Sequence, residues 1–478
     1  MLTRTTVFYI DFLKHSGLIE DVPDHIVDGI TEKLQEENGV DIFESAFVRE
    51  VYNSEINRFK RGIYGALEQE DPAEFRKHEL RMLAGYVDNA YEHAQRSLKF
   101  LQSSRQLSFV IALDNVDQHE ATFQERIFVV GQAIAETWPC TVFMALRPDT
   151  FHESRKTGTL AAYQPRVFTV SPPRSDNVVT KRLEFARKEL VEYGRMPGFP
   201  AGLTLDSESL LIYIDVLLDA FESNRQLIEL VDNLSSGNTR RALDFISTFV
   251  GSGYVQTSRI LQAHKNGNSY VVPLHEFIRA ILNGDHKYYD PNTSHVPNIF
   301  SVGSSEGKEH FLLAMALAEI ETAGDGKPGG FTDLGTVYSK LQRLEFIAEQ
   351  IDHHLERARR FGLTEENDHG ESGKLIRVTP AGAYLYKVLV SNFSYIDAIV
   401  VDTPILDINF RTQIRDVHDI SDRISRAEVF ISYLHEMWKF AEETIAFDWR
   451  LLSTAWDKSL SDVKRGATRA AERRRNQH

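Results

Sequence analysis

Short, uninterrupted apolar segments that alternate with helical stretches restrict the fold of this sequence more than any other feature. Four of them have the length and the β-branched and aromatic content of strands: TVFYIDF (6–12), SFVIAL (108–113), TVFMAL (141–146) and VFTV (167–170). Continuous apolarity is typical of strands covered on both faces, as in a parallel sheet. Between them, apolar residues recur every three or four positions, which predicts buried helix faces. Residues 1–175 are therefore predicted to form an α/β domain.

The rest of the chain is predicted to be mostly helical. Helical patterns alone fill residues 176–282, and residues 283–307 are dense in Gly, Pro, Asn and Ser, which is typical of a linker. Residues 308–391 contain three helical stretches, a polar hairpin tip and the strand LIRVT. Residues 392–478 form a helical region that ends in a basic tail. The predicted fold class is thus α/β followed by mostly α.

Composition and charge exclude several classes of protein. The single cysteine, Cys140, cannot form an internal disulfide or a multi-thiolate zinc site, so nothing calls for an oxidising compartment. The chain has no window of 18 consecutive apolar residues and does not start like a signal peptide, which predicts a cytoplasmic protein without a membrane role. The net charge of -15 argues against coating of nucleic acid by the whole surface.

Two carboxylates follow the second predicted strand. The segment FVIALDNVDQ puts Asp114 at the carboxyl end of the strand and Asp117 three residues later. Ligands of open α/β sheets bind at that edge, and a carboxylate there can hold a water of Mg²⁺, which needs only one or two protein oxygens. Asp117 is a candidate to orient or deprotonate an attacking water. The alternative is that Asp114 only caps the next helix.

Three arginines are candidates for binding a phosphate group. Arg147 directly follows the third predicted strand, at the same sheet edge as Asp114. Asn238 is a good N-cap, which puts Arg240 and Arg241 in the first turn of a helix. Cations there oppose the helix dipole by roughly 0.3 to 1 kcal/mol each, and a bound anion would reverse that sign. The alternative for all three is a solvated surface arginine.

The first 250 residues resemble a P-loop ATPase of the AAA+/STAND class in the order of five segments: YIDF, LDNVD, ALRPDTF, VFTVSPP and GNTRRAL. The origin-recognition type of AAA+ protein and the bacterial multidomain STAND ATPases are similar in pattern. The resemblance implies that Asp114 is the Walker B residue on the Mg²⁺ side and that Arg147 occupies the sensor-1 position. It implies that Arg240 or Arg241 is the sensor-2 arginine of a helical lid over residues 176–282. ATP and Mg²⁺ are the implied cofactors.

The sequence departs from this family in two places. Asn115 follows Asp114 where many AAA+ members carry Glu, which leaves Asp117 as the nearest carboxylate for a hydrolytic base. No G-x-x-x-x-G-K-[ST] occurs, and in the family order that loop lies before YIDF, upstream of Met1. We therefore expect an incomplete sheet with an open position beside the 141–146 strand. A missing central strand costs on the order of 10 kcal/mol, so the chain alone is expected to bind ATP poorly.

Residues 308–380, followed by RVTPAGAYLY, resemble the winged-helix domains attached to such ATPases. In the third predicted helix, Ile347, Ile351 and Leu355 are expected to face inward. The outward face then carries mainly basic and polar residues: Gln350, His353, His354, Arg357 and Arg360. Acidic residues interleave with them, so the face is nearly neutral. We weigh DNA contact through this helix against docking of a protein partner or autoinhibition, and favour the second.

Together these features predict a segment of a bacterial-type AAA+/STAND ATPase switch. Relatives of the STAND type serve as signal-responsive switches, including in defence against phage, so the resemblance implies such a role. ATP hydrolysis by this chain depends on a P-loop segment being supplied, and whether the chain is an enzyme stays open. The alternative is a non-enzymatic protein that uses a degenerate ATPase scaffold and binds DNA or a partner through the winged helix. A partner protein or a second copy of the chain is a further expected partner.

Overall fold

The chain divides into two compact units, Met1–Thr169 and Val170–His478. The architecture comes from a computed structural model, which describes residues 4–13, 19, 21–147, 150–151, 154–155, 158, 160, 165–193, 207–254, 257–266, 270–367, 373–415, 417, 419–440 and 445–475. No helix in this described part of the chain is both long enough and apolar enough to cross a membrane.

The first unit contains a three-stranded parallel sheet. Its strands are β1 (Arg4–Asp11), β2 (Leu107–Asp114) and β3 (Cys140–Met144), and they lie in the order β1-β2-β3. In this register Phe8, Ile111 and Val142 are neighbours, as are Tyr9, Ala112 and Phe143. The parallel arrangement that the apolar segments predict is confirmed for these three strands.

Within residues 21–147, which the structure describes, seven helices accompany this sheet: α1 (Val22–Asn38), α2 (Ser45–Val51), α3 (Asn53–Lys60), α4 (Leu67–Glu70), α5 (Pro72–Val87), α6 (Ala90–Arg105) and α7 (Ala121–Thr137). Local capping sets the ends of α1, since the Asp21 carboxylate accepts a hydrogen bond from the Asp24 amide at 3.3 Å. Gly39, in the left-handed conformation with a φ of 62°, ends this helix.

Only one face of the parallel sheet is covered by the described helices. Phe8 and Ile111 are fully buried in a core to which α1, α6 and α7 contribute. On the opposite face Val7, Tyr9 and Phe143 are 46%, 58% and 48% exposed. The sequence prediction that both faces are covered is therefore wrong for the described residues. Apolar continuity in the strands indicates two apolar faces, but burial of the second face requires an element that packs on it.

The fourth predicted strand does not form. Residues 167–170 have no regular secondary structure, and Val167, Phe168 and Val170 are 53%, 72% and 87% exposed. The Phe168 ring lies 6.4 Å from the Phe143 ring, measured between centroids. A strand needs a neighbour for its backbone hydrogen bonds, and no described residue pairs with the second edge of β3.

The second unit begins with six helices: α8 (Ser175–Tyr193), α9 (Ser207–Ser223), α10 (Arg225–Ser235), α11 (Thr239–Gly251), α12 (Thr257–Lys265) and α13 (Leu274–Asn283). One hydrophobic core extends from Val179 to Leu460. The segment expected to be a linker contributes to it, since Ile299 and Phe300 are fully buried. Residues 283–307 are therefore packed along much of their length.

Three helices and a small antiparallel sheet follow this segment. The helices are α14 (Leu312–Gly324), α15 (Leu334–Arg343) and α16 (Ala348–Arg360). The strands β4 (Thr332–Asp333), β5 (Thr364–Asn367) and β6 (Leu375–Val378) lie in the order β4-β6-β5. The remaining helices are α17 (Pro380–Lys387), α18 (Phe393–Ile399), α19 (Ile408–Arg411), α20 (Ile420–Met437) and α21 (Trp449–Arg475).

Candidate functional site

The carboxyl ends of β1 and β2 form the sheet edge at which the sequence predicts a site. Asp11 and Asp114 end the two strands opposite each other in the parallel register. The Phe12 amide donates to the Asp114 carbonyl oxygen at 3.2 Å, which keeps the two chain segments side by side past the last pair. Two carboxylates are therefore neighbours at one edge. Of these two carboxylates, only Asp114 was predicted from the sequence, because the pattern of YIDF indicates a strand and carries no signal for a site.

Asp114 is half-buried and is held by two hydrogen-bond donors. Its Oδ2 accepts from the Tyr9 hydroxyl at 2.5 Å, and its Oδ1 accepts from the Asn115 amide at 2.8 Å. The hydrogen bond to Asp114, together with burial and the charges of Asp114 and Asp11, raises the pKa of Tyr9 to about 12, so its phenol stays protonated. Each carboxylate oxygen has two lone pairs, so Asp114 keeps capacity for a further donor such as a water.

Asn115 links the two strand ends. Its backbone is left-handed, with a φ of 58°, a conformation that asparagine adopts more readily than most residues. Its Nδ2 donates to Asp11 Oδ1 at 2.7 Å. The Asp11 carboxylate also accepts from the Leu13 amide at 2.9 Å. The residue that departs from the AAA+ pattern thus has a structural role in this chain, because it holds Asp11 beside Asp114.

Asp117 and Arg147 form an ion pair. Arg147 Nε lies 2.7 Å from Asp117 Oδ2, and the two side chains are 68% and 9% exposed. Asp117 is in the short 3₁₀ turn Val116–Gln118 after β2, and Arg147 follows β3. The structure brings these two predicted residues into direct contact, at the ends of neighbouring strands.

The carboxylates at this edge of the described sheet do not form a preformed metal site with several protein ligands. Across the described ranges, no group of three or more His, Cys, Asp or Glu side chains has an arrangement that could hold a metal ion. Asp114 therefore fits Mg²⁺ only as a single carboxylate that contacts the ion or one of its waters, a mode that Mg²⁺ accepts. Asp117 is engaged by Arg147 and does not join Asp114 in a common ligand set.

Arg240 and Arg241 belong to the second unit, in the first turn of α11. The Asn238 side chain caps this helix by accepting from the Arg241 amide at 3.1 Å, as predicted from the sequence. The Arg241 guanidinium donates to the His295 carbonyl oxygen at 3.2 Å, and burial lowers its pKa. Arg240 is exposed. Of the two candidates, Arg240 is the one whose side chain faces solvent.

The polar face predicted for α16 is buried at two of its five residues. His354 is fully buried and Gln350 is 6% exposed, whereas Ile347, expected to face inward, is 57% exposed. His354 Nε2 lies 3.1 Å from Glu309 Oε1, and Arg357 donates to the Asn298 carbonyl oxygen at 2.6 Å. The predicted orientation is wrong for Gln350 and His354, which are covered by polar partners within residues 298–309, and for Ile347, which faces solvent. His353 and Arg360 are exposed, as predicted. The exposed charged residues of the helix include acids and bases in similar number: Glu349, Asp352, Glu356, Arg359 and Arg360.

Comparison with known proteins gives limited similarity. No protein-family model and no curated protein matches this chain. One solved structure to which it is similar is the crystal structure of Cdc6p from Pyrobaculum aerophilum, with 14% sequence identity and a TM-score of 0.27. The alignment covers 80% of this chain and 78% of that chain. A similarity at this level does not establish a common fold.

Proposed function

We propose that residues 1–169 form the nucleotide-binding half of an AAA+/STAND-type ATPase switch. One observation carries the proposal: Asp11 and Asp114 end neighbouring parallel strands, and the Asp117–Arg147 ion pair lies directly after β2 and β3. Ligands of open α/β sheets bind at this edge. It combines a carboxylate suited to Mg²⁺ with a guanidinium suited to a terminal phosphate. By resemblance, the biological role we propose is a signal-responsive switch in defence against phage.

Each residue of this edge has a distinct proposed role. Asp114 would hold a water of Mg²⁺, because its two oxygens keep acceptor capacity beside Tyr9 and Asn115. A bound triphosphate competes with Asp117 for the Arg147 guanidinium, since it carries more negative charge than one carboxylate. Release from Arg147 would leave Asp117 to orient the attacking water. The Mg²⁺ ion would supply neutralisation of the phosphate charge.

Arg240 is the proposed lid arginine. Its side chain is exposed at the start of α11, whereas the Arg241 guanidinium is engaged with the His295 carbonyl oxygen. The resemblance implies one sensor-2 arginine, and Arg240 is the one of the two candidates whose side chain faces solvent. We expect Arg240→Ala to reduce nucleotide turnover and Arg241→Ala mainly to destabilise the second unit.

We further propose that ATP is bound only when a P-loop segment completes the sheet. Two observations support this proposal: within the described chain β3 has no strand on its second edge, and Val7, Tyr9 and Phe143 are exposed on one sheet face. Parallel sheets are normally covered on both faces. A strand and helix that carry the P-loop, from a longer form of the chain or from a partner protein, would pair with β3 and cover that face.

The test compares nucleotide binding and turnover with and without such a segment. The 478-residue chain is expected to bind a fluorescent ATP analogue weakly, and a form extended upstream through a G-x-x-x-x-G-K-[ST] sequence is expected to bind tightly and release phosphate. In the extended form, Asp114→Asn should abolish phosphate release, while Asp28→Asn, an exposed aspartate on α1, should not. Tight binding by the 478-residue chain alone would refute the need for the segment. Unchanged turnover in Asp114→Asn would refute the site.

A second candidate function is partner binding through a winged helix on a degenerate ATPase scaffold. The order of α14, β4, α15, α16, β5 and β6 supports it, because winged helices combine three helices with a three-stranded antiparallel sheet. A protein partner is favoured over DNA, since the basic residue Arg357 is engaged with Asn298 and the exposed charges of α16 nearly cancel. Fluorescence anisotropy with labelled duplex DNA separates the two: salt-sensitive binding that is lost on Arg359→Ala and Arg360→Ala together would favour DNA.

A further inference from the structure

The second unit contains a cationic pocket that none of the functions above uses. The pocket has a volume of about 190 Å³ and lies among α13, α18, α20 and the segment after α13. Its lining includes four cationic side chains, one carboxylate and one amide: Arg279, Lys287, Arg423, Arg426, Asp397 and Asn283. No second carboxylate lines it among the residues that the structure describes.

A single carboxylate is shared by three guanidinium groups. Asp397 is 4% exposed, and its Oδ2 accepts from Arg423 Nε at 3.0 Å while its Oδ1 accepts from Arg426 at 2.8 Å. Arg279 lies 3.9 Å from the same carboxylate. Three positive charges therefore face one negative charge, and two are left uncompensated within this group. Burial and the neighbouring Arg423 charge lower the pKa of Arg279, as expected where positive charge is in excess.

Two buried polar atoms in the lining point independently to a ligand. Arg426 is 7% exposed, and its Nε has no hydrogen-bond partner among the described residues. Asn283 is 5% exposed, and within the same described part its Oδ1 also lacks a partner, although its Nδ2 donates to the Tyr254 hydroxyl at 2.8 Å. Buried donors and acceptors are normally paired.

We propose that this pocket binds a phosphate group. Guanidinium groups bind the oxygens of phosphate through paired hydrogen bonds, and the excess of positive charge among Arg279, Arg423 and Arg426 around the single carboxylate of Asp397 favours an anion over a neutral ligand. The pocket is smaller than the 300 to 1,000 Å³ typical of drug-sized ligands. It therefore holds free phosphate or pyrophosphate, or the phosphate group of a nucleotide whose remaining atoms lie outside. A purely structural network around Asp397 accounts for neither the excess charge nor the two unpaired atoms.

Isothermal titration calorimetry on the full 478-residue chain tests the proposal. The probes are phosphate, pyrophosphate and AMP, and NaCl keeps the ionic strength constant. We expect one saturable site for at least one of these three probes. If AMP binds more tightly than phosphate and pyrophosphate, the natural ligand is a nucleotide. If phosphate or pyrophosphate binds more tightly than AMP, the natural ligand is the free anion. Absence of saturable binding for all three probes overturns the proposal.

Substitutions assign the binding to this pocket. Arg279→Gln should weaken binding about tenfold, because this guanidinium is the most exposed of the three and contributes least to the contacts with Asp397. Arg187→Gln is the matched control, since its ion pair with Asp215 is on the surface of the second unit, and it should leave binding unchanged. Lys287→Gln is a second variant with an expected weakening of about threefold.

The outcomes also separate this site from the proposed ATPase edge. Binding that survives Asp114→Asn and is weakened by Arg279→Gln supports the pocket whatever the fate of the ATPase proposal. Binding that is lost on Asp114→Asn and unaffected by both Arg279→Gln and Lys287→Gln overturns it. Thermal unfolding of each variant without ligand shows that the fold is retained.

Discussion

The hydrogen bond between Tyr9 and Asp114 is the contact that most directly shapes the candidate ATPase edge. Tyr9 lies two residues before the end of β1, on the exposed face of the sheet, and its hydroxyl reaches across to β2. A phenol that remains protonated, with a pKa raised to about 12, donates to the carboxylate at all physiological pH values. It thereby orients Asp114 before any ligand is bound.

We predict that Tyr9→Phe lowers the free energy of unfolding of the first unit by about 1 kcal/mol, the usual contribution of one hydrogen bond at a partly exposed site. Urea unfolding followed by circular dichroism measures the change. Tyr86→Phe is the control, because the Tyr86 ring stacks on Tyr52 and its hydroxyl makes no hydrogen bond with the described residues. An equal loss in both variants would show that the hydroxyl of Tyr9 contributes nothing specific.

At the scale of elements, α16 shows how a helix can bury polar residues. Its helical period identifies Ile351 and Leu355 as core residues, and both are buried. The burial of Gln350 and His354 has no local signal, because their partners Ser304 and Glu309 lie more than 40 residues earlier in the chain. Hydrogen bonds to these partners offset the cost of removing the polar groups from water.

The Glu309–His354 pair makes stability depend on pH. Burial opposes ionisation of Glu309, but hydrogen bonds from His354, Ser304 and the Gly303 amide outweigh it and lower its pKa to about 2. Burial also lowers the pKa of His354, against the effect of Glu309. Both groups have a lower pKa in the folded chain than in the unfolded chain, so both contribute stability that is lost as the pH falls.

We predict that the free energy of unfolding of the second unit decreases first below about pH 6.5, as His354 and three other histidines whose pKa burial lowers (His275, His295 and His310) are protonated in the unfolded chain. It decreases again from about pH 4.5 towards pH 2 through Glu309. Urea unfolding at a series of pH values measures both steps. His354→Gln should reduce the first step, while His353→Gln, an exposed neighbour on the same helix, should leave it unchanged. A first step of equal size in both variants would contradict the assignment.

At the scale of the whole molecule, the hydrophobic cores follow the two units. The large core that includes Phe277 and Trp456 lies entirely within the second unit, and the core around Ile111 lies entirely within the first. Each unit therefore has its own source of apolar stabilisation. The open edge and the exposed face of the parallel sheet both belong to the first unit. We therefore expect the first unit to be cleaved by proteases more readily than the second.

We predict that residues 170–478, expressed alone, unfold at the same temperature as the corresponding transition of the full chain, because their core includes no residue of the first unit. Differential scanning calorimetry measures both. Limited proteolysis of the full chain should remove the first unit earlier. A single transition shared by the two units, lost when they are separated, would contradict independent folding.

Local patterns in the sequence determined the three parallel strands and the presence of Asp114 and Arg147 at one sheet edge. These features depend on residues close in sequence, through side-chain periodicity and the polar residues that end each strand. Tertiary structure alone decided the pairing of Asp117 with Arg147, the burial of His354, the hydrogen bond from Arg241 to the His295 carbonyl oxygen, and the arginine cluster around Asp397. In each of these cases the partner comes from a distant part of the chain, so the contact exists only once the fold has brought the two segments together.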